Sequence, residues 1–222
     1  MIYIVLMAAV AVSSIIETSS WNLRSLASRD NKGLFIARTN IYLYGGRFFL
    51  LTFSTGLAYL VDMSATAVEI SFVIFLSYMS ASLVHTLLLS GNISNLLVKI
   101  SAGLLGLPNE NSRLQHVFSA KIFWFTSLSA AFFCVAMTAP FIIATQFPEY
   151  RMTLSGVGQL INSFGTLILL FMVDPLLYKL LDKNILSSAI RSYTLGRLLG
   201  FFLGGLLALT PYLIIKISAM ST

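Results

Sequence analysis

The stretch Leu34–Val61, which reads LFIARTNIYLYGGRFFLLTFSTGLAYLV, is mostly apolar and carries Arg47 near its middle. At ~1.5 Å per helical residue it would extend ~42 Å, which is enough to cross a hydrocarbon core of ~30 Å with room for tilt. An arginine at that depth is unfavourable unless it faces protein or water. We therefore expect Arg47 to mark a functional pathway.

The two sides of this predicted helix differ in polarity. One side collects small and polar residues at helical spacing, namely Ala37, Asn40, Tyr44, Arg47, Ser54, Thr55 and Ala58. The other side collects Phe35, Tyr42, Phe49, Phe53 and Leu60. We expect the aromatic side to face lipid and the polar side to face a polar interior.

The composition indicates an integral membrane protein with a single transmembrane domain over residues 1–222. The chain is 57% hydrophobic and 10% charged, and its mean hydropathy is +0.88. Soluble domains carry about 25% charged residues. Because Cys134 is the only cysteine, it permits neither an intrachain disulfide nor a cysteine-based metal site. The net charge of +6 is not gathered in a basic tail, so no nucleic-acid partner is expected.

The apolar runs predict an all-α fold with six transmembrane helices. Their approximate ranges are residues 2–24, 34–61, 67–90, 121–145, 152–173 and 193–215. A shorter apolar run at 93–107 contains Lys99 and predicts a helix in the interface plane. Asp174-Pro175 is expected to end the fifth span, since a residue before proline is pushed away from helix.

The positive charges predict the orientation. The first, third and fifth connections carry most of the lysines and arginines, so they are expected in the cytoplasm, with both termini outside. Two three-helix halves of opposite orientation would then result, as in inverted-repeat transporters. In the last span, Gly196, Gly200 and Gly204 predict close helix packing.

Ionisable residues inside the spans indicate a wet, mostly cationic cavity that opens to the cytoplasm and narrows at Arg47. The candidates in its cytoplasmic half are Glu17, Arg24, Arg38, His85, Asp174 and Arg197. Arginine presents a planar fork suited to phosphate, so a pyrophosphate-bearing amphiphile would fit such a cavity.

Purely structural interpretations stay open for several of these residues. Glu17 could form a structural ion pair with Arg47 or Arg197, and His85 could be an ordinary interior histidine. Arg24 and Arg38 lie near helix ends, where long side chains snorkel to the interface. The stripe Ser155, Gln159, Asn162 and Thr166 of the fifth span could simply hydrogen-bond between helices.

The sequence lacks the usual motifs of enzymes. No G-x-x-x-x-G-K-[ST], H-E-x-x-H or G-x-S-x-G motif is present, and acidic residues are few and scattered. We therefore expect no enzyme activity, no catalytic residue, no metal and no cofactor. A membrane enzyme acting on a lipid phosphate is a less favoured alternative, and a scaffold would have no use for Arg47.

Short segments in both halves resemble one bacterial family. They are Ile16-Glu17-Thr18, Arg24-Ser25-Leu26-Ala27, Ile36-Ala37-Arg38-Thr39-Asn40, Arg47, Val61-Asp62, Tyr150-Arg151-Met152-Thr153, Ser155-Gly156, Ile161-Asn162, Gly165-Thr166, Val173-Asp174-Pro175 and Gly196-Arg197-Leu198-Leu199-Gly200. In their order, these segments are similar to the Amj family of lipid II flippases. The match is poorest at residues 91–120.

The resemblance implies a flippase that can replace the MurJ type. It would move lipid II, the undecaprenyl-pyrophosphate-linked peptidoglycan precursor, across the bacterial cytoplasmic (inner) membrane during cell-wall synthesis. Another undecaprenyl-linked saccharide is the alternative substrate. The expected substrate-binding residues are Arg47, Arg197, Glu17, Asn40, Arg24, Gln159, Asn162, Asp174 and His85. The expected partners are this lipid and the surrounding membrane lipids.

Overall fold

The computed structural model describes residues 1–28, 30–108 and 117–211. Within these ranges all regular structure is helical, which confirms the predicted all-α class. The helices are α1 (Ile2–Arg24), α2 (Lys32–Asp62), α3 (Ala67–Leu88), α4 (Gly91–Leu104), α5 (Ala120–Gln146), α6 (Arg151–Ile168), α7 (Asp174–Asp182) and α8 (Ser187–Ala208). A 3₁₀ turn, Pro148–Tyr150, precedes α6, and a π-helical segment, Leu169–Val173, joins α6 to α7.

Four helical stretches are long and apolar enough to cross a membrane. They are Ile2–Arg24, Ala67–Leu88, Ala120–Gln146 and Pro148–Asp182. Their number and hydropathy indicate a membrane protein. Helices α2 and α8 are also long but more polar, because Arg47 and Arg197 lie within them.

The helix ends follow from local chemistry. At the start of α3, Thr66 and Glu69 form a capping box, which satisfies backbone N–H groups that have no partner within the helix. At the end of α4, Gly106 adopts φ +60°, and Leu107 N–H donates to the Ala102 carbonyl at 2.8 Å. The Arg38 guanidinium donates to the Gly106 carbonyl at 2.6 Å. The Arg38 side chain therefore caps the C-terminal end of α4.

Helix α2 packs through its aromatic side, so the predicted orientation of this helix is wrong. Phe35 and Phe53 are fully buried, whereas Ala37, Tyr44 and Thr55 of the polar side are exposed. The physical reason lies in packing. The aromatic rings fill the space between helices, as Phe53 does against Tyr78 of α3 at a ring-centroid distance of 6.2 Å.

Neighbouring helices are arranged in an arc. Its order is α2, α1, α3, α8, α5 and α6, since these successive pairs make the most extensive contacts. Helix α2 and the continuous rod α6–π–α7 therefore stand at the two ends of the arc. Two surface ion pairs join these ends, Asp62–Arg151 at 2.7 Å and Lys32–Asp182 at 3.7 Å.

Glycines set the close approach of α8 to α5, as the sequence predicted. A Cβ atom at Gly196 or Gly200 would meet backbone carbonyl oxygens of α5, and one at Gly204 would meet Cys134. On the other flank of α5, Gly158 and Gly165 bring α6 equally close. Helix α5 is thus held between two glycine-lined neighbours.

The expected helix end at Asp174-Pro175 does not exist. The chain passes through Leu169–Val173 as a π-helix and continues as α7 to Asp182. Proline is tolerated there because it occupies the first turn of α7, and the widened π turn absorbs the missing hydrogen bond. Helix α8 begins at Ser187, and residues 212–215 of the predicted sixth span lie outside the described residues.

Candidate functional site

A buried ion pair joins α1 to α8. The Arg197 guanidinium donates to one carboxylate oxygen of Glu17, and the Tyr193 hydroxyl donates to the other at 2.6 Å. Tyr193 and Arg197 are spaced i, i+4 on α8, so both side chains reach the same carboxylate. Of the two pairings left open for Glu17, the structure forms the one with Arg197 and not the one with Arg47.

Arg24 is the most buried charged side chain of the described chain, with 1% exposure. Its guanidinium donates to Thr39 Oγ1 at 2.8 Å, to Asn40 Oδ1 at 2.6 Å and to the Tyr178 hydroxyl at 3.2 Å. Its Cζ also lies 4.3 Å from the centre of the Trp21 ring. Arg24 therefore does not snorkel, and it ties α1 to both α2 and α7.

Asp174 lies half-buried near this cluster, where the charges of Arg24 and Glu17 act on it. Among the described residues, no donor lies within hydrogen-bonding distance of its carboxylate and no cation within 4.0 Å. The structure thus brings together four ionisable residues of the predicted site, namely Glu17, Arg24, Asp174 and Arg197, and Asn40 joins them as the fifth predicted residue through its hydrogen bond to Arg24. Their formal charges cancel.

His85 lies deeper, between α3 and α8, and is fully buried. Its Nδ1 is 2.7 Å from the Ala81 carbonyl, whereas its Nε2 has no protein partner among the described residues. Its ring stacks on Phe201 at 5.6 Å, and Arg197 Cζ lies 4.9 Å from the same ring. The imidazole and the guanidinium therefore both contact the Phe201 ring.

Arg47 does not join the buried cluster. Its side chain is exposed, and its Cζ lies 5.0 Å from the centre of the Tyr44 ring. No carboxylate of the described residues lies within 4.0 Å of it. The prediction of one cationic cavity narrowing at Arg47 is thus wrong, because the buried arginines have their own partners and Arg47 stands apart from them.

The two ends of the arc leave a seam between α2 and the rod α6–π–α7. Because the ion pairs connect Asp62 to Arg151 and Lys32 to Asp182, the two elements run antiparallel with Arg47 about level with Thr166. Along their middle parts α2 and α6 do not pack against each other. The seam is thus held at both ends and open between them.

Helical spacing assigns polar residues to both flanks of this seam. On α2, Asn40 lies on the flank towards α7, because Arg24 donates hydrogen bonds to both Asn40 and Tyr178. Arg47 and Ser54 follow Asn40 along α2 at heptad spacing. On α6, the flank that begins at Arg151 continues with Ser155, Gln159, Asn162 and Thr166. Gln159 is exposed and Asn162 is half-buried.

Three functional candidates were missed in the sequence, namely Thr39, Tyr178 and Tyr193. Tyr193 could have been found, since it precedes Arg197 by one helical turn. Nothing in the sequence links Tyr178 to Arg24, because the two residues lie 154 positions apart. The structure also has a cleft of about 340 Å³ beside the Asp62–Arg151 pair, lined by residues including Thr66, Gln146 and Arg151.

No protein-family model, curated protein or solved structure matches this chain.

Proposed function

We propose that this protein is a flippase that moves lipid II across the bacterial cytoplasmic membrane, with the headgroup passing along the seam. The observation that carries the proposal is the position of Arg47. It lies at the middle of α2, on a flank that opens to the surface, with no carboxylate of the described residues close by. A guanidinium at that depth is tolerated where water or a polar ligand reaches it.

The chemistry of the seam suits an amphiphile. Its polar flanks offer amide, hydroxyl and guanidinium groups to a pyrophosphate-linked saccharide, and its open side leaves a polyprenyl tail in the lipid. Arginine binds phosphate oxygens through two parallel hydrogen bonds, so Arg47 would contact the pyrophosphate. Gln159 and Asn162 would contact sugar or peptide groups.

The proposal includes six spans, with α2 and α8 added to the four apolar stretches. Helix α2 has 31 residues and would be about 46 Å long, and α8 has 22 residues and would be about 33 Å long. Both pack side by side with apolar spans, α2 on α1 and α8 on α5 and α3, so they share the same slab. The positive-inside rule then places the buried cluster in the cytoplasmic half and both termini outside.

Complementation tests the proposal. A bacterium depleted of its other lipid II flippases should survive when this chain is expressed, and Arg47→Leu should abolish survival at equal protein level. Arg47→Lys should retain part of the activity, because it keeps the charge but not the planar fork. Lys99→Leu is the matched control, since Lys99 is an exposed cation on α4, away from the seam.

Two results would contradict the proposal. Failure of the wild-type chain to support growth would reject lipid II and leave another undecaprenyl-linked saccharide to be tested in the same way. Normal growth with Arg47→Leu would show that Arg47 has no part in translocation.

A further inference from the structure

The buried cluster pairs its charges unevenly. Glu17 is saturated by Arg197 and Tyr193, whereas Arg24 is bound only by neutral oxygen atoms of Thr39, Asn40 and Tyr178. Asp174 has no donor of its own among the described residues. An unpaired, half-buried carboxylate inside a membrane span is a functional feature by default.

The position of Asp174 links the cluster to the seam. Asp174 is the first residue of α7, between the π-helical segment and Pro175, and lies about level with Asn40 across the seam. Single π turns inside long helices occur frequently at functional sites. Movement of the rod at this turn would change the distance from Asp174 to Arg24.

The groups around Asp174 restrict what it can bind. Arg24 and Glu17 of α1 and Tyr193 of α8 are the titratable groups whose charges act on Asp174. The Arg24 guanidinium that acts on Asp174 opposes a metal cation. A proton adds one positive charge without needing a coordination shell, so it is the cation that this site can accept.

We propose that Asp174 binds the proton that couples to headgroup binding, an inference that rests on the proposed function. When Asp174 is ionised, it balances the charge of Arg24 and the cluster is neutral. When a carboxylate oxygen of Asp174 takes a proton and forms an O–H bond, the cluster gains one positive charge. Arg24 uses three of its five N–H donors on Thr39, Asn40 and Tyr178 in either state. The other two can bind a phosphate oxygen, and the added positive charge favours that anion, so one proton and one anionic headgroup bind together.

The other two proton-binding candidates, Glu17 and His85, suit this role less well. Glu17 already accepts hydrogen bonds on both carboxylate oxygens. His85 is fully buried and shares the Phe201 ring with the Arg197 cation, which opposes a second positive charge. His85 is therefore the comparison against which Asp174 is tested.

Trp21 reports on the cluster without any substrate. Its ring lies 4.3 Å from Arg24 Cζ and 5.5 Å from the Tyr178 ring, and the second tryptophan, Trp124, is 62% exposed.

In the full-length Trp124→Phe protein in detergent, the fluorescence emission of Trp21 should show one sigmoidal transition with pH. Asp174→Asn should abolish it, Asp174→Glu should keep it with a shifted midpoint, and His85→Gln should leave it unchanged. Elution as a single symmetrical peak in gel filtration checks that each variant is folded.

Three results would overturn the proposal: no transition in the Trp124→Phe protein, a transition that persists in Asp174→Asn, or one that is lost in His85→Gln.

A second experiment tests the coupling to transport in proteoliposomes with fluorescent lipid II. An imposed pH gradient should raise the translocation rate of wild type several-fold and should not change the translocation rate of Asp174→Asn. If wild type titrates but moves no lipid II, the proposed function fails and the proton site stands. If translocation ignores both the gradient and Asp174→Asn, the coupling fails and the flippase stands.

Discussion

At the scale of single residues, the buried arginines are stabilised in different ways. Arg197 has a carboxylate partner in Glu17, whereas Arg24 relies on neutral acceptors and the Trp21 ring. Removing one partner of a buried ion pair leaves an uncompensated charge, which is more destabilising than replacing both partners.

We therefore expect Glu17→Gln to lower the free energy of unfolding by about 3 kcal/mol or more, because it leaves the Arg197 charge buried and unpaired. The double variant Glu17→Gln/Arg197→Met should recover most of this loss. Thermal unfolding in detergent measures both effects, with Glu149→Gln as control, since Glu149 is exposed in the turn before α6. Equal unfolding temperatures for Glu17→Gln and Glu149→Gln would contradict the importance of the pair.

Ionisable residues inside apolar runs can be chosen from the sequence one helix at a time. Glu17, Arg24, Asp174 and Arg197 were chosen as ionisable groups inside apolar runs, and the structure gathers them in one place. Their partners depend on the tertiary fold. The interaction of Arg24 with Asn40 and Tyr178 follows from how three helices meet, which no local spacing encodes.

At the scale of helices, glycine positions decide which faces come together. A Cβ atom at Gly200 would lie 2.8 Å from the Ser127 carbonyl oxygen and would also meet the Ala130 methyl group. Neither the backbone oxygen nor a short side chain on an adjacent helix can give way easily, so α8 and α5 would have to separate.

Gly200→Ala should lower the free energy of unfolding by about 2 kcal/mol, since overpacking at a tight helix contact forces the backbones apart. Gly156→Ala is the matched control, because a Cβ atom there meets nothing within 4 Å. It should leave stability unchanged or raise it slightly through better helix propensity. Chemical unfolding of both variants in the same detergent measures the difference, and equal losses would show that α8 and α5 are not in close contact at Gly200.

The sequence predicted that α2 has two unlike sides but assigned them wrongly. A helical wheel separates Arg47 from Phe53, but it does not reveal which side meets other helices. Gly46 lies on the packed side, where a Cβ atom would meet Ile16 of α1, and this close approach brings the aromatic residues inward. Likewise, Pro175 ends a regular helix in isolation, whereas the π turn lets this one continue.

At the scale of the whole molecule, the arc of helices explains how an open polar seam can exist in a compact bundle. Ion pairs at both ends join α2 to the rod, and each of them is exposed enough to break and reform. Surface ion pairs contribute little stability, with a median of about 0–1 kcal/mol. If the proposed function holds, we expect the two ends to open in turn as the headgroup passes along the seam.

The central claim, that lipid II moves through the seam between α2 and α6, is tested most directly by locking that seam. In the background Cys134→Ala, which removes the single native cysteine, Asp62→Cys and Arg151→Cys place two thiols where the ion pair lies. After cross-linking with a cleavable reagent, translocation of fluorescent lipid II in proteoliposomes should stop, and cleavage should restore it. Undiminished translocation by the cross-linked protein would contradict the account.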